Sequence, residues 1–245
     1  MTRWCWVLLA LVVLRPALGR ADGIIADLSS HSIAITTGFT GASVTLFGAT
    51  EGHGDVIAVI RGPERDITIW RKGKVAGVWA NREAVTFANV PSFYAVAASR
   101  PLGDIIQPAE AVLHHIGVDN LKFTPTSAVP PDRTRLFAQA LIRVQQKAGV
   151  FSSTVGKIAF LGDRLFRTTL TFPANVPTGS YLVEIFLVRD KDIVGGQTTP
   201  FAVSKVGVDA AVFDFAHTHA LAYGAIAVMT AVVAGWIASL PFRNA

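Results

Sequence analysis

The sequence predicts a mainly β chain. It has an immunoglobulin-like β-sandwich region in one or two modules, a short helical segment, and one C-terminal transmembrane helix. Three observations carry this. Short apolar runs over 22–100 recur at a spacing of about 8–12 residues. Strand-like runs return over 151–210, and Ala220 to Leu240 carries no charge.

The first β-rich module covers 22–100. Ser32 to Thr36 alternates, and Gly41-Ala42 leads into Ser43 to Phe47. Asp55 to Ile60 is almost continuously apolar and stops at Gly62-Pro63. Ile67 to Trp70 alternates into a predicted turn at Lys72-Gly73-Lys74, and Val75 to Ala80, Val85 to Val90 and Tyr94 to Ser99 follow. β-branched and aromatic residues bounded by Gly and Pro favour strands here.

Residues 101–150 are predicted helical. Pro108 suits the first position of a short helix running to Ile116 and closed by Gly117. Asp132 offers an N-cap for Arg133 to Ala148. Phe137, Leu141, Val144 and Ala148 would form its core-facing stripe.

The second β-rich module covers 151–210. Gly162-Asp163 separates two strand-like runs, and Asp190-Lys191-Asp192 turns the chain again. The run from Pro177 through Tyr181 to Val188 has the pattern of late strands in immunoglobulin-like modules, which speaks to fold alone. The helical segment either interrupts one module or joins two.

Both ends carry targeting signals. Residues 1–21 read as a secretory signal peptide: Arg3, then 11 apolar residues from Trp4 to Leu14, then small residues before Asp22. The single cysteine, Cys5, lies inside that run, so the exported region has no thiol. Residues 217–240 read as the transmembrane helix, with Tyr223 and Trp236 at the two membrane interfaces. Ala227, Ala231 and Gly235 recur every four residues, a small-residue stripe suited to helix–helix packing in lipid. Residues 241–245, with Arg243, would form a cytoplasmic tail and leave the bulk of the chain in the periplasm.

The net charge of +5 misleads as a whole-chain number. Arg3, Arg15, Arg20 and Arg243 lie in or beside the terminal apolar runs, leaving 18 bases against 17 acids over 22–219. No basic domain survives that partition, which excludes a nucleic-acid binder of the electrostatic kind.

Three segments carry a family likeness: Phe39 to Ala49, Asp55 to Pro63, and the Tyr223-Gly224…Ala234-Gly235-Trp236 run. On these the chain resembles the alphaproteobacterial transmembrane family Alph_Pro_TM, whose function is undefined. The resemblance implies a single-pass protein of the Gram-negative inner membrane. It also implies a neighbouring permease, similar to sulfite exporters, as a partner. It brings no catalytic residues.

Motifs for zinc proteases, phosphate loops, dinucleotide binding and serine hydrolases are absent. The remaining candidates are weak. His114-His115 are adjacent on a helix and diverge by about 100°. Asp214 and His217 could share a helix face, with His219 displaced from it. Ser29-Ser30-His31-Ser32 places a nucleophile type beside a base type without a third member. The expectation is therefore no catalytic, cofactor or metal site, and a non-enzymatic accessory that meets the bilayer and a permease or a second copy. The alternative is a membrane-held small-ligand-binding domain or enzyme, using Trp70, Trp79 and the Arg61–Lys74 turns.

Overall fold

The computed structural model describes residues 23–75, 77–207, 212 and 215–239. The signal-peptide reading of 1–21 and the tail at 241–245 lie outside them.

The β-rich halves interleave. The first seven strands are β1 (Ile24–Leu28), β2 (Ser32–Ile35), β3 (Gly41–Thr50), β4 (Asp55–Arg61), β5 (Glu64–Val75), β6 (Val78–Pro91) and β7 (Tyr94–Ala98). Helices α1 (Leu102–Ile105) and α2 (Pro108–Leu113), β8 (Thr124–Pro125) and helix α3 (Pro131–Lys147) follow. Then come β9 (Gly156–Lys157), β10 (Ala159–Leu161), β11 (Leu165–Pro173), β12 (Gly179–Arg189) and β13 (Asp192–Lys205).

One sheet runs β1-β3-β11-β10 and the other β2-β13-β12-β4-β7-β9. Each mixes strands from before and after the helical segment, so the segment is inserted in one sandwich. β2 pairs parallel with β13, while β4 and β12 pair antiparallel. This is the order in which immunoglobulin-type sandwiches arrange A-B-E-D against a G-F-C sheet, with the first strand divided between them. Tyr181, near the start of β12, donates its hydroxyl to Pro177 O at 2.6 Å, as a tyrosine corner does.

The inner faces follow from strand alternation. β11 reads exposed–buried throughout, and Phe166, Leu170 and Phe172 point inward. Phe172 stacks on Phe93 and Phe201, with ring centroids 5.2 Å apart in each case, and meets Tyr181 edge-on. β4 is buried at five successive positions, Val56 to Ile60, because it is central in its sheet and covered on both sides.

Turn chemistry fixes several connections. Asp190 (φ 50°) and Lys191 (φ 72°) are both left-handed, the geometry of a two-residue hairpin turn whose twist matches its strands. Gly162 (φ 74°) closes β10 onto β11.

Three local readings need correction. Lys72-Gly73-Lys74 is not a turn: β5 runs through it and pairs Gly73 with Ala80. A Cβ at Gly73 would come within 2.4 Å of Arg82 Cδ, so the Arg82 side chain would have to move aside. Asp132 is not an N-cap; α3 starts one residue earlier, with Pro130 capping and Asp132 pairing with Arg135. Its buried stripe is Phe137, Leu141 and Gln145, and Val144 is exposed.

The largest correction concerns the C-terminus. Its apolar run forms helix α4 (Ala220–Ser239), but among the described residues no helix is long and apolar enough to cross a membrane. A turn at His219 separates α4 from the helical residues 215–218. The predicted transmembrane helix over 217–240 is thus not supported, and the cytoplasmic placement of the tail falls with it. The fold is mainly β.

Candidate functional site

The β5–β6 hairpin and the polar ground at its base form the candidate site. Pairing register sorts its side chains, since opposite residues share a face. Ile67 pairs with Phe87 and Ile69 with Val85. Phe87 and Val85 are buried and Ile67 and Ile69 half-buried, so this is the inner face. Thr68 pairs with Thr86, Trp70 with Ala84, Lys72 with Asn81, and Lys74 with Trp79. The Thr68 and Thr86 hydroxyls meet at 2.8 Å, which confirms the shared outer face.

The register slips between Arg71 and Lys72, where Arg82 is the extra residue. The bulge keeps Trp70, Lys72, Lys74 and Trp79 on one outer face. Trp70 is 56% exposed and Trp79 65%, and Lys74 Nζ sits 5.5 Å from the Trp79 ring centroid. Glu83 is on the other face, 3.8 Å from Arg71. Between the hairpin and α3 lies a groove of about 370 Å³, lined by Ile69, Trp70, Leu136, Phe137, Ala140 and Arg143.

The base of the hairpin is held by charge. Arg61, at the end of β4, is half-buried, pairs with Glu184 of β12, and donates to His114 O at 2.7 Å. Tyr94 donates to His115 O at 2.8 Å and accepts from Gly117 N at 2.8 Å. Burial pushes the Tyr94 hydroxyl up to about 12, against the opposing pull of the Gly117 N–H and the Arg61 charge. The same burial lowers Arg61 from its ordinary value. Gly117 (φ 95°) and His115 (φ 51°) turn their backbone to present these groups.

At the opposite end of β4, Asp55 accepts from Arg100 Nε at 2.9 Å and from Ser99 Oγ at 2.8 Å. Its carboxyl is held below the usual range, chiefly by the Arg100 hydrogen bond.

The sequence candidates do not converge on a reactive centre. His114 Nε2 lies 3.5 Å from Glu110, whereas His115 Nδ1 lies 3.0 Å from Asn120 O. Among the described residues no three His, Cys, Asp or Glu side chains gather to hold a metal. His31 Nε2 pairs with Asp27 at 2.8 Å, while Ser29 Oγ accepts from Thr45 N and Ser30 Oγ donates to Ser32 O. Asp214 lies outside the described residues, and His219 packs its ring on Phe215 at 5.6 Å. On α4, Tyr223 is 43% and Trp236 61% exposed, and a Cβ built on Gly235 would meet nothing within 4 Å. Ala227 and Ala231 are exposed on the same helix.

Sequence reading missed Tyr94 and Glu184 altogether. It counted Arg61 among the Arg61–Lys74 turns open to a ligand, but Arg61 is half-buried. Only spatial pairing across the sheet brings Arg61, Tyr94 and Glu184 together.

Residues 23–244 match the family described as "Putative transmembrane protein (Alph_Pro_TM)". The chain belongs to this family. No curated protein matches it. The family name associates the protein with a membrane and says nothing of a reaction or a partner.

Proposed function

We propose that the protein is a non-enzymatic accessory of a transporter or envelope complex, with its sandwich in the periplasm beside the inner membrane. One observation carries the reading. Every residue from Ala220 to Trp236 is exposed, and Leu221, Val228, Met229, Val232 and Trp236 fall within an arc of about 100° on one face of α4. The sandwich core draws no residue from this helix among those described. An apolar surface of that extent needs a cover.

The cover proposed is a helix of a membrane permease of the sulfite-exporter-like kind, approaching along Ala227, Ala231 and Gly235. Small residues let backbones come close, so packing contacts accumulate. Ala231→Leu or Gly235→Leu should then abolish co-purification of the permease in mild detergent. Recovery of only a second copy of the chain would replace the permease by self-association, and unchanged recovery of every partner would overturn the reading.

A specific feature favours a second reading, a small-ligand domain. A cleft of about 530 Å³ at the start of β5 is lined by Arg65, Lys205, Asn175 and Ser92. The Ser92 hydroxyl is buried and has no hydrogen-bond partner among the described residues. A rise in melting temperature with inorganic phosphate, removed by Arg65→Ala, would favour this reading over the first.

A further inference from the structure

We infer that the outer face of the β5–β6 hairpin docks on an anionic phospholipid surface. Trp70 and Trp79 would lie at the headgroup level, with Lys72 and Lys74 against lipid phosphates. The inference rests on the reading that the protein works at a membrane and names what this hairpin touches there.

Charge complementarity comes first. Register places Trp70, Lys72, Lys74, Trp79, Asn81 and Ala84 on one face, and none of them is acidic. The nearest carboxylate on the distal hairpin, Glu83, lies on the opposite face by strand alternation and sits by Arg71. Two cations that pair with no carboxylate among the described residues suit a leaflet of negative surface potential.

The aromatic chemistry points the same way. Indole rings favour the membrane interface, where an apolar body and a polar N–H are both satisfied. Here two of them flank the lysines, each more than half exposed, and Val78, 69% exposed, adds an apolar residue beside the hairpin tip. Lys74 lies over Trp79, so its stem and the ring form one amphipathic unit.

Position supplies the third argument. Glu64 and Arg65, the first residues of β5, line the same cleft as Lys205, the last residue of β13. The hairpin therefore springs from the end of the sandwich at which the chain departs toward the apolar α4. Twelve residues of β5 give the hairpin a reach of about 40 Å.

The test uses the full chain with Cys5→Ser and Asn81→Cys, carrying an environment-sensitive fluorophore at 81. The labelled protein is placed in vesicles of phosphatidylcholine alone or mixed with phosphatidylglycerol. Docking predicts a blue-shifted emission, quenched by brominated acyl chains, only when phosphatidylglycerol is present. High salt should reverse it, because screening shortens the Debye length to about 3 Å at 1 M.

Lys72→Gln with Lys74→Gln should weaken docking about thirty-fold, the factor two lost surface cations imply. Trp70→Ser with Trp79→Ser should keep the label aqueous while the melting temperature stays at the parent value. Identical emission in the two vesicle types, or quenching that neither pair of substitutions alters, would overturn the inference. So would a hairpin shielded in native membranes only by a crosslinked protein. A permease recovered through α4 without any lipid response removes the hairpin inference and leaves the accessory reading standing. A lipid response without a permease does the reverse.

Discussion

The sandwich and the β5–β6 hairpin are built from the same kinds of residue and use them in opposite ways. In the sandwich, Phe172, Phe93, Phe201 and Tyr181 close on one another and exclude water. On the hairpin, Trp70 and Trp79 are left open beside lysines. Burial makes an aromatic side chain a stability element, because removal leaves a cavity that the surroundings fill only in part. Exposure makes it available to something else. Stability measurements should therefore separate the two regions sharply.

The widest separation is expected at the sandwich core. Phe172→Ala should cost about 3–5 kcal/mol in denaturant unfolding. Trp79→Ser should stay within about 0.5 kcal/mol of the parent, as exposed substitutions do. A comparable loss at Trp79 would show that the hairpin face is packed, and the contrast would fail.

Next comes the charged cluster beside the hairpin's base, which ties β4 to β12 and to the end of α2. Arg61→Met strands Glu184 and the His114 carbonyl, and should cost about 2 kcal/mol at this half-buried position. Adding Glu184→Met should recover much of that loss. A double-mutant cycle with no coupling would mean the pair does not tie β4 to β12.

A smaller effect is expected at the tyrosine corner. Tyr181→Phe removes one hydrogen bond to Pro177 O and should cost about 1 kcal/mol. The smallest concerns Asp55, whose folded-state value is lowered by Arg100. A depressed carboxyl contributes stability that is fully present above the unfolded value of about 3.9 and is lost as pH falls through the folded value. The stability gap between parent and Asp55→Asn should thus be steady near neutrality and close in acid. A gap that widens on acidification would contradict the assignment.

The sequence made some of this legible and hid the rest for physical reasons. Alternation exposed β11 and β12, because one face of each strand is buried and period two is then enforced. Pro108 at the start of α2 and Gly162 between β10 and β11 were readable, since their backbone preferences are local. The hairpin was not: exposed at its far end, it carries polar and charged residues on both faces, and its true length emerges only from pairing. The base network was invisible because Arg61 and Glu184 are far apart along the chain. At the C-terminus, charge-free composition suggested a span, yet among the described residues no helix is long and apolar enough to cross a membrane.

The interleaving of the two halves also sets a clock. β3 waits for β11, and β4 for β12, so neither sheet can be completed until almost the whole region has been made. Pairings this distant in sequence are slow to form, and they leave early strands with open edges meanwhile. A chain threaded end-first, from a ribosome or through a pore, could pair β1 with β3, β4 with β7 and β5 with β6, but would leave β2 and one edge each of β3 and β4 open until residues 165–205 arrive. Folding of this protein is therefore an event of completion, scheduled by its last strands.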